Sequence, residues 1–383
     1  MTNSKRPESL VKGVFPTHVA KGHGCYLWDH DGKKYLDFIC GLGTNILGYG
    51  NERVNQAISA ELRNGYSHSL ATHHEIEAAE KVKELFPFID AVKFLKTGGE
   101  ACSAAIRIAR AATGRSMVLS DGYHGWSDEF VSLTPPAVGI PGSGFIGKLT
   151  EHSIGPNVAA VIVEPVITDY SRERIEWLKN LREECTKHGA LLIFDEVISG
   201  FRFPKYSVAS WCGVTPDIIV LGKAIANGMP LAAVGGKYDV MNAAEYFISS
   251  TYAGETLSLV AAKATMTLMQ TKYDLTHLWK QGQAFLEAFN GMWPGKLSIE
   301  GYPTRGVLKG DPLTKALFQQ ECCKAGILIG ASPFFNFPLA DEWKDAMHAM
   351  KSIVTRLKNG EVKLEGELPK SPFAQRVREE AKA

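Results

Sequence analysis

The sequence predicts an α/β fold, with a mostly parallel central sheet and crossover helices beside a smaller α+β domain assembled from the two chain ends. Three observations predict it. Six short, nearly continuous apolar runs fill the middle of the chain: VKFL (92–95), SMVL (116–119), AAVIVEP (159–165), LLIFD (191–195), DIIVLG (217–222) and LAAVGG (231–236). Strands covered on both faces read this way. Between the third and fourth lies SRERIEWLKNLREECTKHG, where Ile175, Leu178, Leu181 and Cys185 step by three or four along one helix face and Gly189 suits the helix stop. Strand, helix, strand at that spacing builds a parallel sheet. The third observation is that the chain ends break the alternation.

At the N-terminal end, CYLWDHDGKKYLDF reads as a β-hairpin turning at His30-Asp31-Gly32. From about residue 260 onward, helix-like segments mix with short strands such as GVLKG and GILIG. A chain of 383 residues exceeds the size at which one core usually stops growing. The expected organisation is therefore residues 1–50 and 259–383 in a small domain around a large domain at 51–258. The closing stretch, GELPKSPFAQRVREEAKA, reads as a polar surface tail.

Composition narrows the function classes. Hydrophobic residues make up 45% and charged residues 22%, an ordinary globular mixture. Lys and Arg number 42 against 41 Asp and Glu, so neither nucleic acid nor an anionic membrane is an expected partner. Seven cysteines without CxxC spacing fit reduced thiols better than disulfides or a zinc site, and no metal is expected. The start, MTNSKRPESL, lacks the apolar core of a signal peptide, and the uncharged run at 130–147 is broken by prolines and glycines. A cytoplasmic location is expected.

The chemistry begins at LLIFDEVISGFR (191–202), where an apolar strand runs into two adjacent carboxylates. Burying them is costly unless something positive meets them. A magnesium ion held for a nucleotide is one answer, because Walker-B strands end this way. The only matching phosphate loop, GSGFIGKL at 142–149, places Leu149 where a hydroxyl should hold the metal, and it follows a proline-rich stretch instead of a strand. A P-loop nucleotide-binding protein remains the remote alternative.

The other answer is a protonated ring nitrogen. The strand DIIVLG runs into Lys223, at the same carboxyl edge of the sheet as Asp195. Desolvation there disfavours the charged amine and leaves a nucleophile for an aldehyde. The aldehyde that needs both a lysine and a carboxylate is pyridoxal 5′-phosphate (PLP), with Asp195 on the pyridine N–H. Taken singly, Lys223 could equally reach solvent and Asp195 cap a helix. A phosphate cradle is available in KTGGEACSAAIRI (96–108), where Gly98 and Gly99 open a helix. In DGYHGWSD, Tyr123 offers a ring face for stacking, while His124 reads as an ordinary core-edge residue.

With these residues in place, the chain resembles the class III aminotransferases of fold type I, in particular the branch that contains glutamate-1-semialdehyde 2,1-aminomutase. The motifs run from GCYLWDHDGKKYLDF through TGGEACSAAIRIARAATGR, GYHG, VIVEPV, ALLIFDEVISGFRF and GVTPDIIVLGKAIANGMPLAAVGG to STYAGETLS, nearly the whole chain. The resemblance implies that Lys223 is the Schiff-base lysine, Asp195 the ring-nitrogen partner, Tyr123 the stacking aromatic and Val197 the packing group on the ring's other face. Gly98 and Gly99 match the phosphate loop. Thr251 matches a threonine that reaches the phosphate from the neighbouring subunit, which implies a homodimer with shared active sites. The implied reaction moves an amino group from a donor to an aldehyde or keto acceptor, with the cofactor cycling between PLP and pyridoxamine phosphate.

Three departures from the family pattern stand out. The usual Ser-Gly-Thr of the phosphate loop is Thr97-Gly98-Gly99, and the usual Gly-Asn-Pro after the threonine is Gly254-Glu255-Thr256. Glu164 follows Tyr123 by only 41 positions, whereas the aminomutase carries a longer segment that contributes a mobile gate. The short segment favours a two-substrate transaminase over an intramolecular aminomutase. For the substrate, Thr44 and Asn45 within GLGTNILGYG (41–50) are possible polar contacts, as is Glu164. Arg202, Lys21 and Arg305 are candidates for holding a carboxylate, although surface roles are expected for them.

Overall fold

The computed structural model describes residues 13–16, 18–133, 139–140, 144–150 and 152–369. The chain divides into two units, residues 52–275 and residues 1–51 together with 276–383. The expected boundary at 258 falls inside the helix Thr256–Thr271, which packs on Glu52–Glu61 and His73–Leu85 of the large unit. That helix buries Leu259, Ala261, Ala262, Met266 and Met269, so the division comes only after it, at Leu275.

The large unit is built on a seven-stranded sheet. Its strands are labelled β1 (Ala91–Leu95), β2 (Met117–Asp121), β3 (Ile146–Lys148), β4 (Val158–Val163), β5 (Leu191–Glu196), β6 (Ile218–Leu221) and β7 (Ala232–Gly236). The spatial order is β1-β7-β6-β5-β4-β2-β3. Every pairing is parallel except those of β7, which runs against both β1 and β6. The sheet is thus α/β and mostly parallel. All six apolar runs form strands. Every residue of β4 and β6 is buried, as two-sided coverage by helices requires.

Three helices matter for the site. Helix α1 (Gly98–Thr113) begins with a capping box in which Thr97 Oγ1 accepts from Glu100 N and Glu100 reaches back to Thr97 N. Helix α2 (Arg172–His188) buries Leu178, Leu181 and Cys185 and ends at Gly189 with φ of 63°, a left-handed stop that glycine adopts without penalty. Helix α3 is Thr256–Thr271.

The seventh strand, β3, corrects the nucleotide-binding alternative. Gly147 and Lys148 lie in this edge strand, paired in parallel with β2. Their backbone is committed to a sheet ladder and opens no phosphate-cradling turn into a helix. Residues 142 and 143 of that stretch, like the tail beyond 369, lie outside the described residues.

In the small unit, Tyr26–Asp29 and Lys34–Asp37 form the expected hairpin, extended by Val19–His23 on one side and by Ile327–Leu328, in parallel, on the other. GVLKG lies in a second hairpin, Leu297–Tyr302 with Arg305–Gly310. Phe38, Phe335 and Trp343 pack around Phe285 as an aromatic core, stacked, tilted and edge-on respectively. Among the described residues, no helix is long and apolar enough to cross a membrane.

Candidate active site

Asp195 and Glu196 end β5, and strand alternation sends their side chains to opposite faces of the sheet. Glu196 is fully buried on one face. It accepts from the backbone N–H groups of Val208 and Ala209, at 2.8 and 3.0 Å, and from Ser199 Oγ at 3.1 Å. Its cation surrogate is thus the N-terminus of the short helix Val208–Cys212. Burial above all pushes this carboxyl up to about 7, against those hydrogen bonds.

Asp195 is 5% exposed and faces α1. Its Oδ2 lies 2.8 Å from His124 Nδ1 and 3.3 Å from Cys102 Sγ, and its Oδ1 accepts from Val197 N at 3.1 Å. A carboxylate only accepts, so His124 carries its proton on Nδ1. The ring of His124 meets Phe130 edge-on at 5.4 Å. Its Nε2 is buried without a hydrogen-bond partner among the described residues. His124 is therefore no ordinary core-edge residue: the turn after β2 inserts it beside Asp195. Cys102, one turn into α1, is the other residue that the sequence pattern did not single out. The signal for it was its place four residues after Gly98, on the helix face that packs on the sheet.

Lys223 follows β6, the neighbour of β5, two residues beyond Leu221, which pairs with Glu196. It opens a short 3-10 turn, Lys223–Ala226, at φ of 40°. A left-handed backbone at a lysine costs roughly 1–3 kcal/mol and persists only where the surroundings enforce it. Burial pulls the amine below its ordinary value, opposed by the charges of Asp195 and Glu164 and reinforced by Arg202.

Tyr123 lies half exposed on the turn after β2, its backbone N–H donating to Glu164 Oε1 at 2.8 Å. Burial, helped by the charge of Glu164, pushes its phenol up. Glycines make the space here. A Cβ on Gly98 would stand 2.8 Å from Val197 Cγ1, one on Gly222 3.2 Å from the same atom, and one on Gly125 2.7 Å from the Cα of Gly99. Val197 is thereby wedged between the start of α1 and the approach to Lys223.

The structure brings Lys223, Asp195, Val197, Gly98, Gly99, Tyr123 and Glu164 together at the carboxyl edge of one sheet. Thr251 lies exposed on the turn before α3, next to Ser250, whose hydroxyl donates to Glu100 Oε1 at 3.4 Å. The departure at Glu255 has a local cause, because its carboxylate caps α3 and pairs with Lys96 Nζ at 3.0 Å. Thr44 and Asn45 belong to the small unit. There Thr44 Oγ1 donates to Gly41 O and accepts from Asn45 Nδ2. Of the three carboxylate-binding candidates, Arg202 and Arg305 are buried, contrary to the expected surface roles; each belongs to the interior of its own unit. Lys21 lies exposed with its ammonium 5.0 Å from the Trp28 ring.

The family model for aminotransferase class-III matches residues 10–141 and 143–315. The chain belongs to the class III aminotransferase family. It is 36% identical over 296 residues to a glutamate-1-semialdehyde 2,1-aminomutase of Syntrophobacter fumaroxidans, covering 70% of this chain and 68% of that one. Among solved structures, the PLP internal aldimine form of the FumI protein of Sphingopyxis sp. MTA144 superposes with a TM-score of 0.85 at 23% identity, over 96% of this chain and 95% of that one. An omega-transaminase from Sphaerobacter thermophilus gives 0.80 at 24% identity, over 92% and 94%. These likenesses are of fold, and the fold is the type I architecture of PLP-dependent transferases. As a member of the family, the chain is an enzyme that transfers amino groups with PLP. The residues present fit that cofactor: a buried carboxylate locked in place by three donors, a desolvated amine beyond the adjacent strand, and a helix N-terminus whose glycines keep side chains out.

Proposed function

We propose that the protein is a two-substrate transaminase that takes an amino group from a small donor and delivers it to an aldehyde or keto acceptor. The observation that carries the site assignment is the placement of Asp195 at the carboxyl end of one strand and of Lys223 just beyond its parallel neighbour, with the amine under the influence of the carboxylate. Bound PLP supplies an aldehyde that condenses with amines and a pyridinium ring that withdraws electrons.

The rest is the work of this chain's residues. Asp195 accepts the ring N–H and keeps the ring protonated. Lys223 is the nucleophile toward the cofactor aldehyde. Its neutral amine would take a proton from the substrate carbon and return one, acting as base and acid in turn. Val197 packs on one ring face and Tyr123 on the other, its turn fixed by the bond to Glu164. The N–H groups of Gly98 and Gly99 and the dipole of α1 hold the phosphate. Thr251 completes that cradle across a homodimer. Leu70, Trp126 and Phe247 of the large unit, 84%, 81% and 80% exposed, are side chains that a second copy of this chain would cover. Thr44, Asn45 and Glu164 are the proposed substrate contacts, and the cytoplasm is the proposed location.

The aminomutase reading is the second one, favoured by the 36% identity to a protein of that name. Against it stands the short connection from Tyr123 to Glu164. One experiment separates them. A donor amine supplied alone should convert the bound cofactor to its pyridoxamine form and release one carbonyl product per site, after which a separate acceptor should restore the original spectrum. Isomerisation of a single amino aldehyde, with no external donor and no released product, would establish the aminomutase instead.

A further inference from the structure

The acceptor sites of Asp195 can be counted. Each carboxylate oxygen takes about two hydrogen bonds. Oδ2 already has two donors, His124 Nδ1 from the turn after β2 and Cys102 Sγ from α1. Oδ1 has one, the N–H of Val197. Cys102 is 1% exposed, and its thiol is a donor here: burial first, and then the charge of Asp195, push it well above its ordinary value, so it stays protonated. The other charged groups acting on this corner are Lys223 beyond β6 and Glu164 beyond β4.

Resting on the site reading above, we propose that Cys102 is a positioning residue: its S–H closes the second acceptor site of Asp195 Oδ2 and fixes the carboxylate's rotation, leaving Oδ1 as the oxygen that meets the cofactor's ring N–H. Neither His124 nor Val197 does this alone, since with Cys102 removed each oxygen keeps one open site and the ring can pair with either. A thiol suits the task because it fills the space between the helix and the sheet while donating only weakly, so the carboxylate remains available to the pyridinium.

The test compares wild type, Cys102→Ala and Cys102→Ser. The Ala variant removes the donor, and the Ser variant restores one. Cofactor affinity of the apoproteins, read by fluorescence quenching, should weaken on the order of threefold to tenfold in the Ala variant, the range of one modest hydrogen bond, and return to within about twofold of wild type in the Ser variant. Equal affinity in wild type and the Ala variant would overturn the proposal, and so would equal weakening in both variants, because packing would then be the cause. The wild-type-minus-Ser infrared difference spectrum reads the S–H stretch without any cofactor. A band shifted down from the free-thiol position supports the bond, and a band at the free-thiol position overturns it. Failure of the underlying site reading looks different: wild type itself would then bind no cofactor through Lys223, while the S–H band would be unaffected.

Discussion

Gly98 and Val197 meet at the start of α1 so closely that a single added methyl group would intrude. A Cβ on Gly98 would stand 2.8 and 3.0 Å from the two γ-carbons of Val197. Valine is stiff about χ1, so it cannot swing aside cheaply. Gly98→Ala should destabilise the large unit by roughly 1–3 kcal/mol, the usual cost of overpacking, and weaken cofactor binding. Adding Val197→Ala should recover most of the stability, measured by denaturant unfolding of the two variants side by side. If the double variant were no more stable than Gly98→Ala alone, the contact would not be the cause.

Lys223→Ala should reduce turnover by at least about a thousandfold, consistent with the combined loss of a nucleophile and a general base. It should also lose the visible absorbance of lysine-linked cofactor. Retained turnover or an unchanged spectrum would remove Lys223 from the centre of the chemistry.

The pH dependence of activity follows from the same amine. Burial lowers Lys223, so its neutral, reactive form predominates at a lower pH than for an exposed lysine. The negative charge of Glu164 works against this by favouring the ammonium. Glu164→Gln keeps an oxygen for the Tyr123 N–H but removes that charge. The alkaline rise in single-turnover rate should therefore move to lower pH in this variant, and a shift upward would contradict the electrostatic account.

Glu196 makes a separate prediction about stability. Its carboxyl is raised from 4.5 to about 7 in the folded protein. The folded state therefore holds a proton that the unfolded state releases, and stability falls as pH rises from about 4.5 to about 7. The penalty levels off above that, at about 3 kcal/mol for this group by linkage. Glu196→Gln should flatten this part of the stability curve, as read by chemical denaturation at several pH values. An unchanged slope in the variant would assign it to other groups.

Much of this was legible in the sequence because it is local. Apolar runs marked six of the seven strands, and the missed one, Ile146–Lys148, has only three residues and sits at an edge, where no long apolar run is required. The placement of Lys223 and Asp195 at one sheet edge was legible because a charged group at the end of a buried strand is costly enough to demand a reason. Gly98 and Gly99 announced a helix start. The tertiary structure alone decided the partners of the two adjacent carboxylates: His124, Cys102 and Val197 for Asp195, and Ser199, Val208 and Ala209 for Glu196. Strand alternation separates Asp195 from Glu196, but the face that α1 covers is set by the packing of the whole sheet. It also decided that His124 and Cys102, distant from Asp195 along the chain, share one of its oxygens, because hydrogen bonds between elements depend on how those elements converge in space and leave no periodic trace in the chain.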